Sequence, residues 1–291
     1  MDFNKYYEDR QKLVNTFLEK RLEKKGISRV DEAMAYSLLA GGKRIRPIIL
    51  MATADALGVS GYNFLPVACG LEMIHTYSLI HDDLPCMDDD EYRRGRLTNH
   101  KVFGEALALL AGDALLTLAF EVMLEQKNVP AKALIETVRE VAMCAGNFGM
   151  VGGQVIDLDS EGRQISEEEL RKLHAGKTGA LFIAAVRSGA RLSGAASDEL
   201  LALTKFADLL GLAFQITDDI LDVEGDAAQM GKAAHSDEKK HKSTYVTLYT
   251  LEGAKVLAQK TVDEALGCLE MFGENAEALR EITKMMCGRK S

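Results

Sequence analysis

Apolar residues recur every three or four positions along most of this chain. Leu107, Leu110, Ala111, Ala114, Leu115 and Leu118 form one such stripe, with the period that lays an apolar face along an α-helix. Similar runs cover 68–84 and 203–223, and both read as helices apolar enough to be buried. No pair of alternating segments flanks an Asn-Gly turn, so no hairpin of that type is expected. With only 4 Pro beside abundant Ala, Leu, Glu and Lys, composition favours helix throughout. The expected fold class is all-α.

Each of those two buried helices ends in carboxylates. Residues 81–90 read His-Asp-Asp-Leu-Pro-Cys-Met-Asp-Asp-Asp and residues 218–222 read Asp-Asp-Ile-Leu-Asp. A carboxylate on an apolar helix is costly unless something cationic neutralises it. Asp218 and Asp222 are about 40° apart on the helical wheel and share a face. Asp82 and Asp88 would point about 240° apart on an unbroken helix. Pro85 lifts that obstacle, since its ring and missing N–H end the helix near Leu84 and let the chain fold Asp82, Asp83 and Asp88 together. Oxygen ligands without paired Cys or His favour a hard cation such as Mg²⁺, which retains waters and pairs with phosphates. An EF-hand is excluded, because the Gly and Glu its loop needs are absent. A His-Asp metal phosphohydrolase would account for only the first cluster.

Phosphate needs positive charge, and the chain supplies it locally. Gly41-Gly42-Lys43-Arg44-Ile45-Arg46-Pro47 precedes an apolar helix, Arg93-Arg94-Gly95 follows the first acidic cluster, and Lys177-Thr178-Gly179, Gly231-Lys232 and Lys242-Ser243-Thr244-Tyr245 come later. Arginine forks onto phosphate oxygens and glycine allows close backbone approach. None of these stretches has Walker A or dinucleotide-type glycine spacing.

The motifs resemble those of short-chain trans-prenyl diphosphate synthases of the bacterial farnesyl type. The resemblance spans about 38–249 and rests on 41–47, on His75-Thr76-Tyr77-Ser78-Leu79-Ile80-His81-Asp82-Asp83-Leu84-Pro85, and on Met87-Asp88, Arg93-Arg94-Gly95 and Thr98-Asn99-His100. It continues through Leu110-Ala111-Gly112-Asp113, Gly152-Gly153-Gln154, Lys177-Thr178 and 214–222. It implies an isoprenoid-synthase-type helical bundle around a central cavity. The implied reaction condenses isopentenyl diphosphate head-to-tail with dimethylallyl and geranyl diphosphates to give farnesyl diphosphate. Geranyl or geranylgeranyl diphosphate synthesis is the alternative, followed by a terpene cyclase or a non-catalytic synthase subunit.

Residue by residue, the resemblance places three Mg²⁺ on Asp82, Asp83, Asp88, Asp218 and Asp222. It places isopentenyl diphosphate on Lys43, Arg46, His75 and Arg94, and the allylic diphosphate on Arg93, Lys177, Lys232 and Lys242. Thr178 and Gln215 are to steady the carbocation, and Tyr77, beside the small Ser78, is to form the floor that limits product length. The polar stretch 225–243 is to act as a lid. Leu97 stands where the family usually has Pro, and Ala233 and His235 where Thr and Gly are common, which weakens the assignment of Lys232. Arg289-Lys290 is expected to be a frayed charged tail, the alternative being that it reaches the diphosphate mouth.

The 291 residues allow one large domain or two smaller ones, and the lack of a Gly/Ser- or Pro-rich linker favours one, 1–291. A net charge of -9 argues against nucleic acid. The 5 Cys lack CxxC spacing and the chain starts Met1-Asp2-Phe3-Asn4-Lys5, which points to reduced thiols and a cytoplasmic protein without a signal peptide. The most apolar stretch, 106–120, is expected to be too short to span a bilayer and carries Asp113. A homodimer is expected from the resemblance alone.

Overall fold

The computed structural model describes residues 1–23, 28–225 and 243–288. The all-α expectation is met. Helix α1, Phe3–Leu22, starts on the Asp2 side chain, which accepts the Lys5 N–H. Then come α2, Arg29–Leu38, and α3, Ile45–Ala56. Pro47 lies in the first turn of α3, where a missing N–H costs nothing. Helix α4, Leu65–Asp82, is buried on nearly all sides, as its continuous apolar sequence requires.

Beyond α4 the chain makes turns through 83–88 and a two-strand hairpin, β1 Tyr92–Arg93 and β2 Arg96–Leu97, paired antiparallel. The hairpin was not expected. Its turn is Arg94-Gly95, both at positive φ, the backbone of a tight hairpin turn usually signalled by Asn-Gly. Thr98 and Asn99 anchor it: Thr98 Oγ1 donates to the Asp90 carbonyl, and Asn99 Nδ2 donates to the Ala33 carbonyl of α2.

Short α5, Asn99–Phe103, leads into α6, Glu105–Leu124, which packs along α4. Helices α7, Ala131–Ala145, and α8, Met150–Ser160, follow. Helix α9, Glu167–His174, is closed by a Ser166/Glu169 capping box. It passes through a π-helical turn, Ala175–Gly179, into α10, Ala180–Leu192. Helix α11, Ser197–Glu224, ends on left-handed Gly225. Helices α12, Tyr245–Gly267, and α13, Glu277–Cys287, complete the fold.

The main core gathers residues of α3, α4, α6, α10 and α11. A smaller core joins Leu170 and Leu173 to Ile216, Ile220 and Tyr245. The expected helices at 68–84 and 203–223 are α4 and α11, slightly shifted. Asp82 is the last residue of α4, so the break expected at Pro85 falls two residues earlier than Leu84. At 20 and 28 residues, α6 and α11 have the length and composition of membrane-crossing helices, which corrects the expectation that 106–120 is too short. Both belong to the helical core, and α6 carries exposed Asp113.

Candidate active site

Around α4 the first acidic cluster takes the folded-back shape that Pro85 implies. The Asp88 N–H donates to the Asp82 carbonyl at 2.9 Å, returning the chain onto the helix end. The Asp83 carboxylate is buried and receives Arg93 Nε at 2.7 and 2.9 Å and Arg93 Nη2 at 2.6 Å. The pair is close because β1 runs back beside the helix end, and a buried carboxylate needs such a fork. Asp83 and Arg93 are thus held beside each other at the end of α4. Burial raises the Asp82 carboxyl above its ordinary range; the charge of Lys177 opposes this and that of Asp88 adds to it.

Lys177 comes from the π-helical turn, whose widened backbone is a recurrent feature of functional sites. Its Nζ lies 2.6 Å from Asp157 Oδ2 of α8. The approach depends on Gly153, because a Cβ there would stand 2.0 Å from the Lys177 backbone nitrogen. The Gly152-Gly153-Gln154 motif thus works by letting α8 meet the turn. Asp157, four residues on, was missed from sequence: a lone Asp on a helix carries no signal until its partner is known.

Helix α11 packs against the same turn and presents Gln215, Asp218 and Asp222 from one continuous helix. Gln215, Thr178 and Asp218 are half-buried and Asp222 is buried. Asp219 faces elsewhere and accepts the Tyr245 N–H at 2.7 Å, tying α12 to α11.

Several basic side chains gather around α4. His75 of α4 is surrounded by the charges of Arg46, Arg94, Arg93 and Arg44; burial first, then these cations, hold its imidazole well below the usual range and therefore neutral. Arg94 Nη1 donates to the Gly41 carbonyl, and its guanidinium covers Gly42. Arg46 sits over the Phe182 ring at 4.9 Å, and burial pushes its pKa down to about 10. Phe182 meets Phe214 of α11 edge-on at 5.6 Å. Arg46 is thereby linked through the Phe182 ring to Phe214, the residue before Gln215. Lys43 is exposed. Arg44, between two assigned residues, is structural: Nη1 donates to Glu72 Oε1 at 2.8 Å, Nη2 to the Leu38 carbonyl and Nε to Asn15 Oδ1.

Tyr77 is buried and stacks edge-on against His81. Burial, and secondarily the Asp82 charge, push its pKa up to about 12. Ser78 Oγ donates to the His75 carbonyl. Lys232, Lys242, the 225–243 lid apart from its ends, Ala233, His235 and Arg289-Lys290 lie outside the described residues. Among the described residues no three acidic, His or Cys side chains form a ready metal-binding group. The donor chemistry still fits magnesium, since the Asp82, Asp88, Asp218 and Asp222 set offers hard oxygens only.

A family model described as polyprenyl synthetase matches residues 27–286. The chain belongs to the polyprenyl synthetase family. It is 44% identical to the farnesyl diphosphate synthase of Geobacillus stearothermophilus over 99% of this chain and 98% of that one. To the geranylgeranyl diphosphate synthase of Cyanophora paradoxa it is 43% identical, covering 98% and 96% of the two chains. Among solved structures, an FPP/GFPP synthase from Zymomonas mobilis matches with a TM-score of 0.88 and 36% identity over 98% of this chain and 99% of that chain. The family bond and the all-helical neighbour agree with the bundle described above.

Proposed function

We infer that this chain is a prenyltransferase that joins isopentenyl diphosphate to dimethylallyl and then geranyl diphosphate, releasing (2E,6E)-farnesyl diphosphate. The observation that carries the reading is the presence of two unlike charged sets. One is Lys43, Arg46, His75 and Arg94, in which the arginine charges surround His75, a cationic set suited to a diphosphate that stays intact. The other is Asp82, Asp83, Asp88, Lys177, Asp218 and Asp222, in which the Lys177 charge acts on Asp82, a carboxylate set suited to a diphosphate that departs. A cyclase has one diphosphate to hold and leaves the first set without a purpose. A regulatory subunit has no use for costly buried carboxylates.

Asp82, Asp83, Asp88, Asp218 and Asp222 would hold the magnesium ions, three per site. When bound, they supply positive charge that neutralises the leaving diphosphate. Lys177, steadied by Asp157, adds a charge-assisted contact to the same group, joined by Lys232 and Lys242. Thr178 and Gln215 turn oxygen dipoles toward the allylic cation left behind. Arg46, Lys43 and Arg94 keep the isopentenyl double bond aimed at that cation, and the released diphosphate takes the final proton. Water has to be excluded, since it would quench the cation to an alcohol.

Tyr77 forms the floor that stops growth at fifteen carbons; relatives named for twenty-carbon products make that the competing outcome. The enzyme is read as a cytoplasmic homodimer that binds no nucleic acid and does not span a membrane. The exposed Leu109, Leu110 and Leu124 of α6 support a second copy as a partner.

Incubation with dimethylallyl and isopentenyl diphosphates plus Mg²⁺ tests the reading. Fifteen-carbon alcohol after dephosphorylation supports it. Cyclisation of a single substrate, or no turnover at all, would replace it with the cyclase or the subunit.

A further inference from the structure

His81 bridges two helices. Its Nε2 lies 3.0 Å from the Leu109 carbonyl oxygen of α6. A carbonyl only accepts, so Nε2 carries the hydrogen and donates it. On α4, His81 stands four residues after Tyr77 and on the same face, with ring centroids 5.6 Å apart and planes at 80°. The same Nε2 edge of the imidazole lies against α6 at Gly112. A Cβ there would stand 2.2 Å from Nε2 and 2.4 Å from Cδ2, far inside van der Waals contact. Any side chain at 112 would have to displace the ring.

We propose that His81, seated on Gly112, is a specificity-positioning residue: it buttresses the Tyr77 ring and so sets how far a product can grow. The proposal rests on reading Tyr77 as the floor of the well. A growing tail that reaches Tyr77 either stops there or pushes the ring aside. Turning the ring breaks the edge-on contact with His81, and His81 cannot follow, because its hydrogen bond and the α6 backbone hold it. The length limit then resides in a stack of three residues from two helices, with Gly112 as its base. A bland role for His81, a simple tie between α4 and α6, predicts lost stability with an unchanged product profile.

Product chromatography on Tyr77→Ala, His81→Ala, Gly112→Ala and the double variant Gly112→Ala/His81→Ala, with thermal melting of each, separates these. His81→Ala is expected to raise the twenty- to fifteen-carbon product ratio about two- to tenfold, the factor that loss of one edge-on aromatic contact corresponds to. Gly112→Ala is expected to change the profile in the parent and to have no further effect once His81 is removed, because it acts through the imidazole. Should Gly112→Ala fail to fold, His81→Ala alone decides. A parent-like profile in His81→Ala, alongside a shifted one in Tyr77→Ala, overturns the proposal while leaving the floor in place. Parent-like profiles in both overturn the floor itself, and the proposal with it. Loss of fifteen-carbon synthesis by the unmodified enzyme would instead reject the proposed function.

Discussion

Lys177 Nζ and Asp157 Oδ2 lie 2.6 Å apart, joining the π-helical turn to α8 across 20 residues of sequence. The carboxylate is mostly buried and the ammonium a quarter exposed, so the pair aims a charge that still has a free side. Lysine is a flexible donor, and a fixed partner removes much of the entropy lost when it binds a ligand.

Asp157→Asn should therefore lower kcat/KM for the allylic substrate by about tenfold, the effect of losing one charge-assisted hydrogen bond. The KM for isopentenyl diphosphate should hardly move. Steady-state titration of each substrate checks this, and equal losses for both would show that Asp157 supports the fold rather than Lys177.

Asp82→Ala and Asp218→Ala should each abolish turnover while the far-ultraviolet circular dichroism stays that of the parent. Asp82 is the last residue of α4 and half-buried, and Asp218 is half-buried on α11, so neither packs the interior. Removing Asp82 even relieves a carboxylate that burial disfavours. Near-parental activity in either variant would sink the metal-cluster reading.

Much of this was legible in the sequence because helical periodicity and acidic spacing are local. The stripe through Leu107 and Leu118, the break at Pro85 and the shared face of Asp218 and Asp222 all follow from backbone geometry within a few residues. What stayed hidden depends on contacts between distant segments. Asp83 and Arg93 are ten residues apart and meet because the chain turns through 83–88 and brings β1 back beside the end of α4. The Arg94-Gly95 turn was overlooked because Arg occupies the place where Asn usually gives the signal. Arg44 and Arg46 look alike in sequence. Left-handed backbone at Arg44 sends one guanidinium to buried Glu72, while the other lies over Phe182.

That contrast gives a paired prediction. Arg46→Ala should weaken isopentenyl diphosphate binding strongly and spare the allylic substrate, since a lost clamp harms its own ligand. Arg44→Ala should act on stability instead, by about 3–5 kcal/mol, because it strands the Glu72 carboxylate. Urea denaturation and substrate titration of both variants check the division. An Arg46→Ala enzyme impaired equally toward both substrates would mean that the basic set does not belong to isopentenyl diphosphate.

His75 predicts a pH dependence. Burial disfavours its charged form, and Arg46, Arg94, Arg93 and Arg44 disfavour it further, so its folded pKa falls well below the ordinary value of 6.5. In the unfolded chain the imidazole takes up a proton near that ordinary value, whereas in the folded chain it stays neutral. Below about pH 6.5 the unfolded state therefore binds more protons, and stability falls as the pH drops, with a slope of up to about 1.4 kcal/mol per pH unit from this group. Above that pH both states are neutral and the contribution is fully present. His75→Gln keeps a neutral polar side chain and cannot take up the proton, so its stability should decline less steeply. Urea denaturation of parent and variant at about pH 7.5 and about pH 5.5 brackets the unfolded-state value. The parent should lose about 1 kcal/mol more than the variant between the two. Parallel losses would show that His75 is protonated in the folded enzyme, and that the surrounding arginines are further from it than their placement around α4 implies.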